Sequence, residues 1–176
     1  MNDVIHVLCN RRSCRKYLKK QIPEEDLQII LKCGTYAPNG KGKQSASIVV
    51  IQDTNLIKKI AKINSSFIRK EGINPFYDAP TLLIIFADKN ASTYVQDGAA
   101  VASNLIHAAY SLGIDSCWIH RAKETFETFE GKELMKKWGL GENYEGIANV
   151  ILGYRDGNLL APAERKENYI IYNEKR

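Results

Sequence analysis

The sequence predicts a single α+β domain in which helices flank a mixed β-sheet. The chain has 176 residues, a length typical of one domain, and no long Gly-, Pro- or Ser-rich linker divides it. Helical and strand patterns alternate, but two helices lead the order and a strand-like segment over 169–172 closes it. Leading helices and a returning strand are more typical of a layered α+β fold than of a doubly wound parallel sheet.

The composition is that of an ordinary globular protein. Hydrophobic residues make up 44% and charged residues 26%, which excludes disordered and collagen-like chains. The densest apolar run, over 81–87, is too short to cross a membrane and fits a buried strand. The first six residues lack the basic start and apolar block of a signal peptide, so we expect a cytoplasmic protein.

Charge and cysteine content narrow the function classes. The net charge of +5 favours anionic ligands but is too small to imply nucleic acid by itself. The four cysteines, at positions 9, 14, 33 and 117, form no Cys-x-x-Cys pair. This spacing argues against a zinc site, a thioredoxin-like dithiol or a disulfide scaffold.

The first half of the chain predicts three helices and two strands. The second helix is the best marked, because Pro23 suits a first helical position, three acidic residues follow it, and Gly34 suits its end. A loop rich in Pro, Asn and Gly then covers 37–44. The predicted elements are helix 4–10, helix 23–34, strand 48–52, helix 56–68 and strand 81–87.

The second half begins with a helix that is apolar nearly all round. Small and aliphatic residues dominate 94–112, and such a helix lies at the centre of a core or at an interface between subunits. The predicted elements are helix 94–112, strand 116–120, helix 124–137, strand 147–154 and strand 169–172.

The Gly-rich loop does not match a nucleotide-binding fingerprint. Gly40, Gly42 and Ser45 come close to G-x-G-x-x-G, but that motif follows a strand and opens a helix, whereas this loop follows a helix and leads into a strand. The phosphate-binding sequence G-x-x-x-x-G-K-[ST] is absent too.

A basic cluster follows the first helix. Arg11, Arg12 and Arg15 surround Ser13, and planar guanidinium groups match phosphate oxygens well. A solvated basic turn or a nonspecific nucleic-acid patch explains the same residues. The pair Arg165-Lys166, near the chain end, is placed to close the same site.

Acid–base and metal chemistry have little support. Of the three histidines, we expect His107 in the core, His6 at the surface and His120 at a sheet edge. Cys117 and His120 are three residues apart on a strand and would face opposite sides, which argues against thiol catalysis. Neither histidine spacing nor a carboxylate cluster supplies a metal-ligand set.

The chain resembles the nitroreductase family along nearly its whole length. Residues 11–17 look like the family's opening R-R-S-x-R-x-[FY], and 37–44 are similar to its A-P-S-G-x-N-x-Q loop. The sequence N-P-F-Y-D-A-P over 74–80 matches the short-form members. Residues 97–113 look like the family's long central helix, and 153–155 end its penultimate strand.

The resemblance implies a homodimeric flavoenzyme that holds FMN at the subunit interface. The implied fold is one domain over 1–176, with a mostly antiparallel sheet flanked by helices and a C-terminal strand that subunits can exchange. The implied reaction is ping-pong: NADH or NADPH gives hydride to flavin N5, and an acceptor such as a nitroaromatic or quinone is then reduced. We expect no nucleic-acid or membrane partner.

The family likeness also gives the site residues separate tasks. Phosphate contacts fall to the two basic clusters, and a cation near flavin N1 and O2, Arg15, stabilises the anionic reduced ring. Asn74 faces the same edge, and a backbone N–H of His120 or Arg121 lies near N5. The loop residues come from the other subunit. The implied FMN contacts are Arg11, Arg12, Ser13, Arg15, Pro38, Asn39, Gly40, Gln44, Asn74, Ile119, His120, Arg165 and Lys166.

The chain departs from the family pattern in the loop, and two other functions remain as hypotheses. Gly42 stands where the family often has Asn, and Ser45-Ala46 stand where it has Pro-Trp. A noncatalytic protein that stores or senses FMN is one alternative. A nucleic-acid-binding domain built on 11–20 is the other, although only Tyr17 supplies an aromatic within that run.

Overall fold

The computed structural model describes residues 2–68, 72–159 and 161–173. Within them it contains six α-helices, four β-strands and one 3₁₀ turn at Gly40–Gly42. No helix in these ranges is long and apolar enough to cross a membrane. In chain order the elements are α1 (Asp3–Asn10), α2 (Glu24–Thr35), β1 (Ala46–Ile51), α3 (Thr54–Ser65), β2 (Thr81–Asp88), α4 (Tyr94–Ser111), β3 (Asp115–Ile119), α5 (Ala122–Glu127), α6 (Phe129–Lys137) and β4 (Tyr144–Gly153).

The four strands form one sheet in the order β1-β2-β4-β3. Every neighbouring pair is antiparallel. The segment after α1 lies along the sheet, where Ser13 pairs in parallel with Ser116 and Tyr17 pairs with Arg155. The mixed, mostly antiparallel sheet predicted for the chain is confirmed, with its parallel contact at this edge.

Two layers of helices cover the sheet, so β2 is buried on both faces. Alternate residues of a strand face opposite sides, so Leu82, Ile84 and Phe86 pack against α3, α5 and α6. Leu83 and Ile85 pack against α2 and α4 on the other face. The fully apolar sequence of this strand follows from burial on both faces.

The central helix α4 lies in the core of the subunit, between the sheet and α2. Gly98 lets it approach β4 closely, since a Cβ at this position would lie 2.8 Å from Ile147 Cγ1. The sequence was compatible with a helix in the core or at an interface between subunits. In the structure, the buried face of α4 packs in the core of the subunit.

The predicted helix over 124–137 is wrong, because the structure divides this segment into α5 and α6. Thr128 lies between them in an extended conformation, with φ −67° and ψ 161°. Its Oγ1 accepts a hydrogen bond from Gly131 N at 3.0 Å and donates one to Thr125 O at 2.7 Å. This side chain ends one helix and caps the next.

The strand predicted over 169–172 does not form in the isolated chain. Residues 161–173 are exposed and have no regular secondary structure. A strand needs a neighbouring sheet edge for its backbone hydrogen bonds, and the described tail residues pair with none of the four strands.

Candidate functional site

The segment after α1 is fixed in an extended path beside β3. The Arg11 N–H still bonds to Val7 O at 3.1 Å, but the chain then leaves the helix with φ −57° and ψ 135°. Cys14 N donates to Ser116 O at 2.9 Å, and the buried Tyr17 hydroxyl donates to Cys14 O at 3.0 Å. Arg11 and Ser13 are therefore held near the start of β3.

Arg11 is a half-buried cation without a carboxylate partner in the described ranges. Burial lowers its pKa, and the neighbouring Arg12 lowers it further, while Cys117 and Tyr110 oppose this shift. A guanidinium that loses water without gaining an ion pair is costly. Its donors remain available for an anion such as a phosphate group.

Arg12 is engaged with the backbone instead. One of its terminal nitrogens donates to Cys9 O at 2.8 Å and to Arg11 O at 2.7 Å. Its Nε is buried and has no hydrogen-bond partner among the residues that the structure describes. Arg12 therefore stabilises the end of α1, and its Nε–H is unpaired among the described residues.

Arg15 is exposed beside a cavity of about 180 Å³. The Lys16–Asp156 ion pair, with Nζ and Oδ2 2.8 Å apart, lies at the cavity. Pockets that enclose a drug-sized ligand have volumes of about 300–1,000 Å³, so this cavity is too small for a whole flavin nucleotide. Its lining residues are Ser13, Cys14, Arg15, Lys16, Arg155, Asp156, Asn158 and Leu159.

The other end of β3 carries a strained turn. Ile119 ends the strand, His120 is exposed, and Arg121 has a left-handed conformation with φ 68°. The buried side chain of Asn64 donates to His120 O at 3.0 Å, and Thr125 Oγ1 donates to Arg121 O at 2.6 Å. His120 comes four positions after Ser116, so β3 places the two ends of the site about 13 Å apart.

The loop over 37–44 is anchored to the N-terminal end of α4 by the buried carboxylate of Asp97. This carboxylate accepts hydrogen bonds from Gly40 N at 2.9 Å, Ser45 Oγ at 2.7 Å and Thr93 Oγ1 at 3.1 Å. Burial raises the pKa of Asp97, but the three hydrogen bonds together hold it below the ordinary value. Asn39 Oδ1 closes the loop by accepting from Gln44 N at 2.9 Å.

One chain does not bring this loop to Arg11. The loop contacts Asp97, near the start of α4, whereas Arg11 lies near Tyr110, at its end. A helix rises about 1.5 Å per residue, so these 13 positions span about 20 Å. The predicted contacts therefore form two separate groups in the chain, with Pro38, Asn39, Gly40 and Gln44 in one and Arg11, Ser13, Ile119 and His120 in the other.

Asn74, Arg165 and Lys166 make local contacts in the structure. Asn74 forms a local turn, in which Nδ2 donates to Asp78 Oδ1 at 2.8 Å and Oδ1 accepts from Phe76 N at 3.0 Å. Arg165 donates to Ala163 O, and Lys166 Nζ lies 5.5 Å from the centre of the Tyr169 ring. Within the described ranges, none of these three has a hydrogen bond to Arg11 or Ser13.

The histidines and cysteines form no catalytic pair in the described part of the chain. Cys117 is buried in the core, whereas His120 is exposed beyond the strand. His107 is half-buried on α4 with Nδ1 3.4 Å from Ser103 Oγ, and burial lowers its pKa. His6 is exposed. Residues 2–68, 72–159 and 161–173 hold no group of three His, Cys, Asp or Glu side chains placed to bind a metal.

Comparisons with known proteins identify the family of the chain. The model of the nitroreductase family matches residues 8–154. The chain belongs to the nitroreductase family. A nitroreductase from Bacteroides fragilis, solved with bound FMN, is 30% identical with a TM-score of 0.89, covering 99% of this chain and 100% of that one.

Two further relatives share the family. An FMN-dependent nitroreductase from Clostridium difficile is 27% identical, with a TM-score of 0.83 and coverage of 99% of both chains. A protein of Archaeoglobus fulgidus, provisionally named an NADH dehydrogenase/NAD(P)H nitroreductase, is 29% identical over 96% of this chain and 91% of its own length.

Three buried polar residues near the candidate site were not predicted from the sequence. Asp97, Asn64 and Asn149 are each at most 3% exposed. A signal for Asn64 was available, because it continues the buried stripe of Ile57 and Ile60 at helical spacing. A polar side chain on an apolar stripe needs a buried partner, here the backbone of the turn after β3.

Proposed function

We propose that this nitroreductase-family member is an FMN-dependent oxidoreductase that takes hydride from NADH or NADPH. A small acceptor such as a nitroaromatic or a quinone then receives the electrons, in a ping-pong cycle. Family membership and the FMN bound to the Bacteroides fragilis relative support the cofactor. The observation that carries the proposal is the half-buried Arg11 beside Ser13, which lacks a carboxylate partner in the described ranges.

The phosphate end of the site is built from basic donors. Arg11 offers a planar fork and Ser13 a hydroxyl, and both suit phosphate oxygens. Arg165 and Lys166 add charge from the exposed tail, and Arg12 supports the segment through its bonds to Cys9 O and Arg11 O. These residues bind and orient the cofactor without taking part in proton transfer.

In this proposal, two groups surround the flavin ring. One is the cation Arg15, and the other is a backbone N–H of His120 or Arg121 near N5. Arg15 is exposed and has no ion pair within the described residues, so its charge favours negative charge developing near N1 and O2. Asn74 adds an amide at this edge, and Ile119 and His120 support the ring from β3. FMN supplies the hydride-accepting centre at N5, so the protein needs no catalytic histidine.

A second copy of the chain completes the site in this proposal. The two groups of predicted contacts lie about 20 Å apart along α4, and a homodimer brings the loop of one copy over the Arg11 group of the other. Exposed apolar surface supports the same assembly. Val4, Ile5 and Leu8 of α1 are 65%, 49% and 56% exposed, and Ile171 of the tail is 87% exposed.

A single site for both substrates accounts for the ping-pong order. The sequence lacks a dinucleotide-binding fingerprint, so in this proposal NADH or NADPH binds against the flavin and leaves before the acceptor stacks in the same place. We place this reaction in the cytoplasm, where both nicotinamide cofactors are available.

The visible spectrum of the purified protein, recorded without oxygen before and after adding NADH or NADPH, tests this function. We expect a flavin spectrum that bleaches on reduction and returns when a quinone or nitroaromatic is added. Initial rates against both substrates should then give parallel double-reciprocal lines. A bound flavin that neither nucleotide reduces would indicate storage or sensing instead, and the absence of flavin after adding FMN would contradict the proposal.

A further inference from the structure

We propose that Asn64 is a positioning residue that lowers the reduction potential of bound FMN by locking the His120–Arg121 peptide in one orientation. The inference rests on the proposed function, because it assigns Asn64 a task toward the same cofactor. The lock consists of the side chains of Asn64 and Asn149 and the peptide carbonyl between them.

Two buried amides hold one carbonyl oxygen. Asn64, on α3, is 1% exposed, and its Nδ2 donates to His120 O at 3.0 Å. Asn149, on β4, is fully buried, and its Nδ2 donates to the same oxygen at 3.4 Å. Asn64 Nδ2 also lies 3.1 Å from Thr125 Oγ1, which fixes the amide in this orientation.

The peptide N–H must therefore point away from the core. A trans peptide is planar, with its N–H and C=O directed oppositely, and the described residues contain no cis peptide bond. Because the His120 carbonyl points inward to Asn64, the Arg121 N–H points outward. It has no hydrogen-bond partner within residues 2–68, 72–159 and 161–173, so it is available to a cofactor.

The local backbone conformation shows that this orientation is enforced. Arg121 has φ 68°, a left-handed conformation that a residue with a Cβ adopts reluctantly. Turning the His120–Arg121 peptide over would carry this φ to a negative value, which any residue accepts. The buried hydrogen bonds to Asn64 and Asn149 oppose that relaxation.

The fixed N–H distinguishes the two oxidation states of FMN. Oxidised N5 has a lone pair that accepts a hydrogen bond, whereas reduced N5 carries a hydrogen and donates one. Hydride transfer from NADH would supply both the two electrons and the hydrogen of reduced N5. NADH becomes NAD⁺, and the flavin gains one negative charge. A locked N–H donor matches oxidised N5 and mismatches reduced N5. The reduced cofactor is thereby a stronger electron donor to the acceptor.

The first test is the two-electron midpoint potential of bound FMN in wild-type protein and in Asn64→Leu. Leucine has a similar volume but no donor, so the peptide can turn over and offer the His120 carbonyl to reduced N5. We expect a tenfold shift of the affinity ratio toward reduced FMN, which equals a rise of about 30 mV for two electrons. The matched variant Asn55→Leu, at an exposed position of the same helix, should leave the potential unchanged.

The second test uses the wild-type protein and does not depend on a variant that folds. His120-Arg121 is the only His-Arg pair in the sequence, so labelling His carbonyl carbons with ¹³C and Arg nitrogens with ¹⁵N gives one NMR correlation for this peptide. We expect the Arg121 amide proton to shift when FMN binds. We expect the three-bond coupling between the Arg121 amide and Hα protons, which reports φ, to stay the same when the FMN is reduced.

The outcomes separate this inference from the proposed function. An unchanged potential in Asn64→Leu, or an Arg121 HN–Hα coupling that changes on reduction of the wild-type protein, would overturn the lock while leaving an FMN-dependent reductase intact. If Asn64→Leu does not fold, the NMR measurement decides. A wild-type protein that binds no FMN would overturn both.

Discussion

Arg11 differs from the other cationic side chains of the segment after α1 in its surroundings. Its guanidinium is half-buried beside Tyr110 and Cys117 and has no ion pair in the described ranges, whereas Arg12 is bonded to backbone and Lys19 is exposed. The sequence did not show which of these side chains would bind the phosphate, because three arginines within five positions are chemically equivalent. Burial decides which of them favours an anion.

Replacing Arg11 with Ala should weaken FMN binding by about 1.5–3 kcal/mol, the range for a hydrogen bond to a charged group. This corresponds to an increase of Kd of roughly 10- to 150-fold. Titration of the apoprotein with FMN at fixed ionic strength measures the change. Lys19→Ala removes an equal charge from an exposed position and should change Kd much less. Equal Kd values for wild type and Arg11→Ala would move the phosphate site elsewhere.

Asp97 links protein stability to pH. Its pKa is held below the ordinary value in the folded state, so its ionised form contributes stability at neutral pH, and this contribution is lost as the pH falls through the native pKa. We expect the difference in the free energy of unfolding between wild type and Asp97→Asn to be constant above about pH 5 and to shrink below it.

Denaturant titrations at several pH values measure this difference. The exposed carboxylate of Asp3 provides the control, since Asp3→Asn should not produce the same pH dependence. A difference for Asp97→Asn that persists unchanged down to about pH 3 would show that the carboxylate charge does not anchor the loop.

At the level of elements, the close approach of α4 to β4 depends on Gly98. A Cβ there would meet Ile147 at 2.8–3.0 Å, a distance that requires the strand or the side chain to move. Gly98→Ala should therefore lower the free energy of unfolding by about 1–3 kcal/mol, although Ala favours helices by about 1 kcal/mol over Gly.

Thermal and denaturant unfolding measure the effect of this substitution. Gln96→Ala, at an exposed position of α4, is the matched control and should be neutral or slightly stabilising. If Gly98→Ala were as stable as the control, the spacing between helix and strand would not limit the packing.

The elements that the sequence predicted best are those with a single strong pattern. β2 was predicted from its unbroken apolar run, and α4 from its small and aliphatic residues. The break at Thr128 was missed because apolar spacing continues from Phe126 to Leu134 across it. That break depends on hydrogen bonds of one hydroxyl, which a hydrophobic pattern does not contain.

At the scale of the whole molecule, the candidate site could be predicted only in part. The motif residues of 11–15 lie beside β3, and 119–120 lie at its C-terminal end, whereas their contacts with FMN stay a prediction. The loop over 37–44 is bonded to Asp97 near the start of α4, and Asn74 is bonded to Asp78. In the proposed homodimer, the groups that share a site depend on how two copies associate, and the pattern of one sequence does not give the distances between residues of different copies.

The protein should be a dimer in solution at micromolar concentration. The exposed apolar side chains of α1 and the tail would otherwise remain in contact with water, and each apolar Å² covered contributes about 25 cal/mol. Sedimentation equilibrium with and without FMN gives the mass directly. A monomer in both conditions would contradict a cofactor held between subunits.

A hybrid dimer tests most directly that two chains build each site. One chain carries Arg11→Ala and the other carries Asn39→Ala with Gln44→Ala, each with its own affinity tag, and FMN bound per dimer is measured at a concentration that neither parent homodimer retains. A shared site predicts one FMN per hybrid dimer, because one of the two sites receives an intact Arg11 and an intact loop. A hybrid that retains no more FMN than its parents would show that each site lies within one chain.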